Sequence, residues 1–432
     1  MDKRPRVVIT GIGPITSLGI GKNTLWAGLL KGKPHITTVK TTVDNTTWDT
    51  YHCHTVPNFN ISHFGINQDE LDFIKDWKEG DETIDLFYLF AAIKLALDDS
   101  GIQYDNDSNG LGMIVMHENM NLLPLIFKMS TRAFDILSNK SSNLTKIQFF
   151  SKLYEDCLKS GYDAQTFMTL FHAARVFKIH EESLVINNAC ASGLYALETA
   201  SQMIKTSQNK MVVVAASDVS DIYKYLWFKN LGIYAPDGII KPFCSNSDGL
   251  VFGDGSIGIV VEELNHALKR KAPIYAEYIG GGFSLESWRV TMPKINSTSY
   301  QDAIKKALKH ASLASSDIEL LCPHGVGSHV TDLYESKAIT DIFGKNSKSP
   351  LITTFKPYIG HNLGGSTLLE TAILLLSMSN NKILPTLNYH LPDARTNIYL
   401  VDTLIDQKIT TTMKICCAFA GYNAAAIFRR LS

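Results

Sequence analysis

Short apolar runs, most of them rich in β-branched residues, recur along the 432-residue chain at Val7–Thr10, Met113–Met116, Leu184–Ile186, Met211–Ala215, Ile257–Val261, Ile318–Leu321 and Leu351–Thr354. Their length predicts buried strands. Between them the spacing becomes helical: Ala191–Lys205 puts Leu194, Leu197 and Ile204 near one face, and Tyr300–Ala311 and Ser366–Met378 have similar character. Strand alternating with helix predicts an α/β protein with mostly parallel sheets. The apolar pattern breaks at Glu262–Lys271, which predicts two halves, 1–263 and 264–432, although residue identity shows no repeat between them. Clusters of Asn, Asp and Ser at Gln103–Gly110 and Ser138–Lys146 read as exposed loops. The segment 119–174 looks mostly helical and is expected to insert into the first half as a cap or an interface.

Composition narrows the class. At 45% hydrophobic, the chain can bury a large core. A formal net charge of −1 gives no general attraction to nucleic acid or an anionic membrane, so any partner must be recognised by a local patch. The N-terminus passes from charge straight into a β-branched run, without a signal-peptide pattern, and a cytoplasmic location is expected. Leu368–Met378 is short and carries Glu370, so no membrane anchor is expected. The seven cysteines are odd in number and form no Cys-x-x-Cys pair, which argues against a zinc ribbon or a disulfide framework. A cytosolic cysteine is ordinarily a small buried hydrophobe, and context has to single one out.

Three constellations supply that context. In Leu184-Val-Ile-Asn-Asn-Ala-Cys190-Ala-Ser-Gly-Leu-Tyr-Ala-Leu-Glu, a buried strand, a small-residue turn and an amphipathic helix meet at the cysteine. A helix N-terminus offers unpaired N–H groups and positive partial charge, which stabilise a thiolate and can hold an oxyanion. Ala189, Ala191 and Gly193 are expected to leave room for an acyl thioester, although a buried cysteine starting a core helix looks much the same. In Cys322-Pro-His324-Gly-Val-Gly-Ser328, glycines permit a tight turn beside an imidazole. Thr353-Thr-Phe-Lys356-Pro-Tyr-Ile-Gly360-His361-Asn-Leu-Gly-Gly365-Ser again sets a histidine beside a glycine, with a lysine five positions upstream. A lone loop histidine is more often an ordinary hydrogen-bonded residue. One nucleophilic cysteine with two histidines and a lysine suits acyl transfer, whereas a metal site needs tighter spacing or nearby carboxylates.

Further motifs run in order along essentially the whole chain: Val7-Val-Ile-Thr-Gly-Ile-Gly-Pro-Ile-Thr, Asn188-Ala-Cys-Ala-Ser-Gly, Lys241-Pro-Phe, Asp248-Gly-Leu-Val-Phe-Gly-Asp-Gly, His324-Gly, Lys356 to His361 and Phe419-Ala-Gly-Tyr-Asn423. On these the chain resembles the elongating β-ketoacyl-acyl-carrier-protein synthases of fatty acid and type II polyketide synthesis. The resemblance implies a thiolase-like α/β fold of two similar halves in a layered αβαβα arrangement. It implies decarboxylative Claisen condensation, with Cys190 acylated and His324 and His361 binding the malonyl thioester carbonyl and assisting loss of its carboxylate. Neutral imidazoles donating through one nitrogen can stabilise the resulting enolate without protonating it. By the same resemblance Lys356 tunes the electrostatics near His361, and Glu335 helps organise that lysine's surroundings. Phe419 gates the site and adds its backbone N–H to that of Cys190 in an oxyanion hole, with Asn423 as structural support. No cofactor or metal is implied, because phosphopantetheine arrives on the acyl carrier protein. The implied assembly is a homodimer, or a heterodimer with a ketosynthase-like partner.

Departures from the family matter too. Where it usually has two threonines that bond the phosphopantetheine arm, this chain has Val326 and Ser328, leaving Ser328 as the substrate-binding candidate. The usual Gly-Phe-Gly-Gly-Thr-Asn is Ala418-Phe-Ala-Gly-Tyr-Asn, which should stiffen and crowd the gate. Val115-Met-His-Glu-Asn-Met-Asn121 replaces a glycine-rich stretch by the acyl pocket and dimer contact. If that strand end borders the acyl pocket, His117, Glu118 or Asn119 should shorten the pocket or offer a polar partner to an oxygenated, conjugated or aromatic chain, with Asn119 a second substrate-binding candidate; otherwise these side chains face the dimer contact or solvent. These changes point to a specialised pathway, such as polyketide or aryl polyene synthesis. Two other readings stay open: transfer of the acyl group to an amine or alcohol, and a non-catalytic chain-length-factor-like subunit, a type that usually lacks the cysteine.

Overall fold

The computed structural model describes every residue except 1–4, 44, 79–83, 105–109, 118–121, 139–143, 156, 297, 346–349 and 432. Ten strands form its main path: β1 Val7–Thr16, β2 Leu111–Met116, β3 Ser183–Val185, β4 Met211–Asp218, β5 Gly255–Glu263, β6 Ala276–Leu285, β7 Leu320–Cys322, β8 Leu351–Ile352, β9 Thr411–Cys417 and β10 Tyr422–Arg429. Their spatial order is β8-β7-β9-β10-β6-β1-β5-β4-β2-β3. Outward from the β6–β1 junction, the two halves repeat one pattern. The first strand pairs antiparallel with the last (β1–β5, β6–β10), the last antiparallel with the one before it (β5–β4, β10–β9), and two parallel pairings follow.

Helices complete the repeat: α1 Ile84–Ser100, α2 Thr166–Val176 and α3 Ser192–Lys205 in the first half, α4 Ser299–Ala311, α5 His329–Phe343 and α6 Ser366–Asn380 in the second. The expectation of mostly parallel sheets needs correction, because the part of the sheet in each half is mixed, with two antiparallel and two parallel pairings. The antiparallel pairings of the second half come from β6, β9 and β10, whose Gly280–Gly282 and Ala424–Ala426 lack the branched side chains that mark a strand in sequence. We propose the boundary between the halves at 263/264: β5 ends at Glu263, a short helix covers Leu264–Lys269, and β6 starts at Ala276.

Strand alternation sends side chains into separate layers. Ile114, Val212, Val214 and Ile259 join Leu194 and Leu197 of α3 and Leu368 and Ile373 of α6 in a central layer. Met113, Val115 and Val213 instead meet Leu89, Phe90 and Ile93 of α1. In the second half Ala424 and Phe428 face the centre, whereas Met413, Ile415 and Ile427 face Tyr300 and Ile304 of α4. The result is the αβαβα arrangement, with α3 and α6 sandwiched between sheets. Between β2 and α2 lie helices at Leu122–Ser138, Lys146–Glu155 and Leu158–Asp163. They leave Phe134, Leu137, Ile147 and Leu158 largely exposed. Both expected Asn/Asp/Ser-rich loops fall mostly outside the described residues. Among the described residues, no helix is long and apolar enough to cross a membrane.

Each half brings a helix backbone onto its first strand through a missing side chain. A Cβ at Gly13 of β1 would stand 2.2 Å from the Ala92 carbonyl oxygen of α1, and one at Gly282 of β6 would stand 2.0 Å from that of Ala303 in α4. Gly282→Ala should therefore cost about 1–3 kcal/mol through overpacking, read as a lower urea midpoint. An unchanged midpoint would show that α4 can move away freely.

Candidate active site

Cys190 sits in the turn that joins β3 to α3, 6% exposed. The turn is pinned by Ser192, whose Oγ accepts from the Asn188 N–H at 2.8 Å and donates to the Ala189 carbonyl at 2.6 Å. Ala189 takes a left-handed φ of 50°, a strained conformation for an alanine that delivers the next residue to the helix N-terminus. Gly193 has a different use from the one expected. A Cβ there would lie 2.6 Å from Thr367 Oγ1 and 2.8 Å from the Leu368 nitrogen, so this glycine makes room for α6 and not for an acyl group.

Both histidines come from the second half and meet the thiol. Ligand atoms of Cys190, His324 and His361 all lie within 4.8 Å of one another. His324 follows β7 and is held by Glu335 of α5. One Glu335 oxygen accepts from the His324 N–H at 2.7 Å and the Tyr300 hydroxyl at 2.6 Å, the other from the Gly325 N–H at 2.8 Å. His361 is pinned by the Asp248–Gly255 motif: its N–H donates to the Val251 carbonyl at 2.8 Å and its carbonyl accepts from the Gly253 N–H at 3.1 Å.

Donors around the rings assign their tautomers. The Leu363 N–H donates to His361 Nδ1 at 3.0 Å, so the ring proton is on Nε2. Lys356 Nζ lies 3.4 Å from His324 Nδ1, and an ammonium can only donate, so this Nδ1 is also an acceptor and leaves Nε2–H for the cavity. Cys416 Sγ approaches the same Nδ1 at 3.4 Å. The rings stand 5.5 Å apart at 89°. Burial, then Lys356, then His361 and Lys414 drive the His324 pKa well below the usual imidazole value. For His361, burial and Lys356 do the same, opposed by a hydrogen bond at its own backbone. Both rings are therefore neutral near pH 7.

Behind them lies a charge cluster that sequence reasoning missed. Lys356 Nζ donates to Glu370 Oε1 at 2.8 Å and to the His324 carbonyl at 2.6 Å. Lys414 Nζ lies 2.9 Å from Glu370 Oε2, an ion pair out of hydrogen-bond alignment. The carboxylate partner of Lys356 is thus Glu370, and Glu335 reaches the lysine only through the His324 peptide. Cys190, His324 and His361 have the spacing of a metal site, yet two ammonium groups behind the imidazoles oppose a cation there. The arrangement suits an oxyanion instead.

The thiol and both imidazoles line a cavity of about 480 Å³, along with Phe419, Asn423, Val326 and Ser328. Phe419 stacks on Phe228 with centroids 5.5 Å apart. Its turn holds Ala420 at φ 59°, a left-handed conformation in which glycine would be at ease and alanine is strained. The Asn423 amide donates to Ser299 Oγ at 3.1 Å and to the Gly421 carbonyl at 3.3 Å, bracing the turn. His117 turns away to Asp85, with Nε2 2.9 Å from its carboxylate, and is not among the residues lining this cavity. Glu118 and Asn119 lie outside the described residues.

The family model described as "Beta-ketoacyl synthase, N-terminal domain" matches residues 4–267, and that described as "Beta-ketoacyl synthase, C-terminal domain" matches residues 275–390. The chain belongs to the beta-ketoacyl synthase family. This synthase-family chain is 27% identical over 441 residues to a protein of Coxiella burnetii (strain RSA 493 / Nine Mile phase I) named 3-oxoacyl-[acyl-carrier-protein] synthase 2, with 100% of each chain covered. It superposes on the ishigamide ketosynthase/chain length factor with a TM-score of 0.84 at 23% identity, covering 99% of this chain and 100% of that one. It also superposes on a type II PKS ketosynthase in complex with its acyl-carrier protein, with a TM-score of 0.79 at 21% identity, covering 99% and 100%. Both likenesses are of the thiolase-like fold.

The neutral imidazoles make stability pH-dependent. His324 and His361 have folded pKa values well below the unfolded value of about 6.5, and burial pushes His54 down to about 4. At these histidines the unfolded chain therefore binds more protons below pH 6.5. The stabilisation is complete above that pH and is lost as pH falls toward the folded values, by up to about 1.4 kcal/mol per pH unit per histidine. Urea midpoints measured from pH 7 to pH 5 should fall less steeply for His361→Asn than for the parent. Parallel curves would contradict a neutral His361.

Proposed function

We propose that this chain is a ketosynthase that condenses an acyl group held on Cys190 with malonyl-acyl carrier protein, losing carbon dioxide. The observation that carries this reading is the meeting of one thiol at a helix N-terminus with two neutral imidazoles inside one cavity. The helix terminus favours the attacking thiolate. His324 and His361 donate from Nε2 to the malonyl thioester oxygen and stabilise the enolate as the carboxylate leaves. The enolate carbon then attacks the acyl carbonyl, and the Cys190 sulfur departs. Lys356 keeps His324 Nδ1 an acceptor, Glu335 fixes the His324 turn, and Asn423 braces the turn that carries Phe419. Phe419 gates the cavity and supplies an oxyanion-hole N–H with that of Cys190, and Ser328 is the hydroxyl available to the phosphopantetheine arm.

Acyl carrier protein is the assigned donor, supported by the name of the Coxiella relative and by the carrier-bound type II neighbour. Arg289 and Lys294, exposed beside Val290 and Met292 near the cavity mouth, supply the local basic patch that an acidic carrier needs. The exposed apolar side chains of the inserted helices favour a dimer, with itself or with a ketosynthase-like partner such as the chain length factor paired with the ishigamide ketosynthase. We place the enzyme in the cytoplasm and in a specialised pathway of polyketide type. Its intact cysteine and both imidazoles disfavour a purely structural subunit.

Intact-protein mass spectrometry with acyl and malonyl carrier proteins tests these roles. Cys190→Ala should abolish acyl loading, and persistent loading elsewhere would refute the nucleophile. His324→Ala and His361→Ala should load within about tenfold of the parent while malonyl decarboxylation falls by about 100-fold or more. Normal decarboxylation in both would dismiss the two-imidazole role.

A further inference from the structure

Among the described residues, one lysine at 0% exposure is left unused by the roles above. Lys414, on β9, has its Nζ 2.9 Å from Glu370 Oε2, 2.7 Å from the Pro323 carbonyl oxygen and 3.6 Å from Cys322 Sγ. Lys356 grips the other oxygen of the same carboxylate and the next carbonyl along, that of His324. Two cations thus share one anion and clamp consecutive peptides of the turn that presents His324.

Other titratable groups facing the rings do not replace this charge. Glu335, from α5, directs its oxygens to the His324 and Gly325 N–H groups and the Tyr300 hydroxyl. Cys322 on β7 and Cys416 on β9 are thiols that burial pushes up to about 12, and Cys417 lies well above its ordinary value. Cys190 approaches from the turn before α3, and Asp332 of α5, raised by burial, binds the Phe243 N–H. Burial opposes the Lys414 ammonium, but its neighbours outweigh burial and raise its pKa above the lysine norm; among them Glu370 is the carboxylate. Both lysines depress both imidazoles.

We propose that Lys414 is a second positioning cation for the condensation, holding Glu370 and the Pro323 carbonyl so that His324 keeps Nδ1 toward Lys356 and both imidazoles stay neutral. This rests on the decarboxylating function proposed above, in which a protonated imidazole would quench the enolate.

The test is Lys414→Met, which keeps an unbranched side chain and removes the charge. It is read by the pH profile of malonyl-carrier decarboxylation and by ¹⁵N-histidine NMR titration of His324 and His361. The acidic limb should move up by about one pH unit, with both imidazole titrations moving the same way, while Cys190 still accepts an acyl group. An unmoved limb and unmoved titrations in a protein that loads normally would overturn the proposal, since a merely structural lysine changes the rate at every pH alike. If Lys414→Met does not fold, Lys414→Gln removes the same charge and keeps a polar group for the Pro323 carbonyl. The same upward move of the acidic limb is expected, and an unmoved limb overturns the proposal. The NMR readout separates the two failures. A parent that holds neutral imidazoles but releases no carbon dioxide refutes the reaction, and the titrations of Lys414→Met still decide the role of the lysine.

Discussion

Glu370 is the constraint around which the second half is organised. It is a carboxylate in the middle of an apolar helix, buried between two sheets. An unpaired charge there would cost several kcal/mol, so α6 can occupy the central layer only when its counterions arrive with it. Lys356 comes from the turn after β8 and Lys414 from β9, where it stands opposite Cys322 in the β7–β9 ladder. Through the Pro323 and His324 carbonyls the same cluster reaches the turn after β7. Four elements are thereby fixed to one carboxylate, and the two imidazoles are carried by the segments so fixed.

The first half supplies the thiol and a rim of backbone. Cys190 reaches the imidazoles because α3 packs closely on α6 at Gly193, and because Phe252–Gly253 bridges to His361. The site therefore exists only where the two halves meet. This explains how an arrangement assembled from residues 190, 324, 356, 361, 370 and 414 can be compact. In the proposed mechanism it also separates the chemical duties: a helix terminus in one half favours the thiolate, and burial, with two ammonium groups behind it, keeps the imidazoles of the other half neutral.

Much of this was legible from the chain. Each apolar run overlaps a strand, although the first extends from Val7 to Thr16 and those at Leu320–Cys322 and Leu351–Ile352 are shorter than expected, and the strand–turn–helix reading placed Cys190 at a helix N-terminus. Both histidines fell between strand and helix, as their glycine-flanked motifs predicted. Glu370 and Lys414 were not legible as a pair, because Glu370 fell in a helix read only for its apolar face, no expected element covered Thr-Thr-Met-Lys-Ile-Cys-Cys, and their pairing spans 44 positions. Local pattern carries no information about such a contact. The Gly- and Ala-rich strands were missed for a related reason: their small residues are explained by helices packed against them, at Gly282 by α4, and not by any local preference. Gly193 was misassigned on the same account.

The central claim is that carbon–carbon bond formation and loss of the malonyl carboxylate are coupled at the thiol and two imidazoles. The direct measurement supplies the acyl-loaded protein with malonyl-carrier protein labelled with ¹³C at the free carboxylate, and follows label and carrier-bound product together. One labelled carbon dioxide released for each β-ketoacyl carrier formed is the predicted result. Transfer of the acyl group with the labelled carboxylate still on the carrier would contradict it.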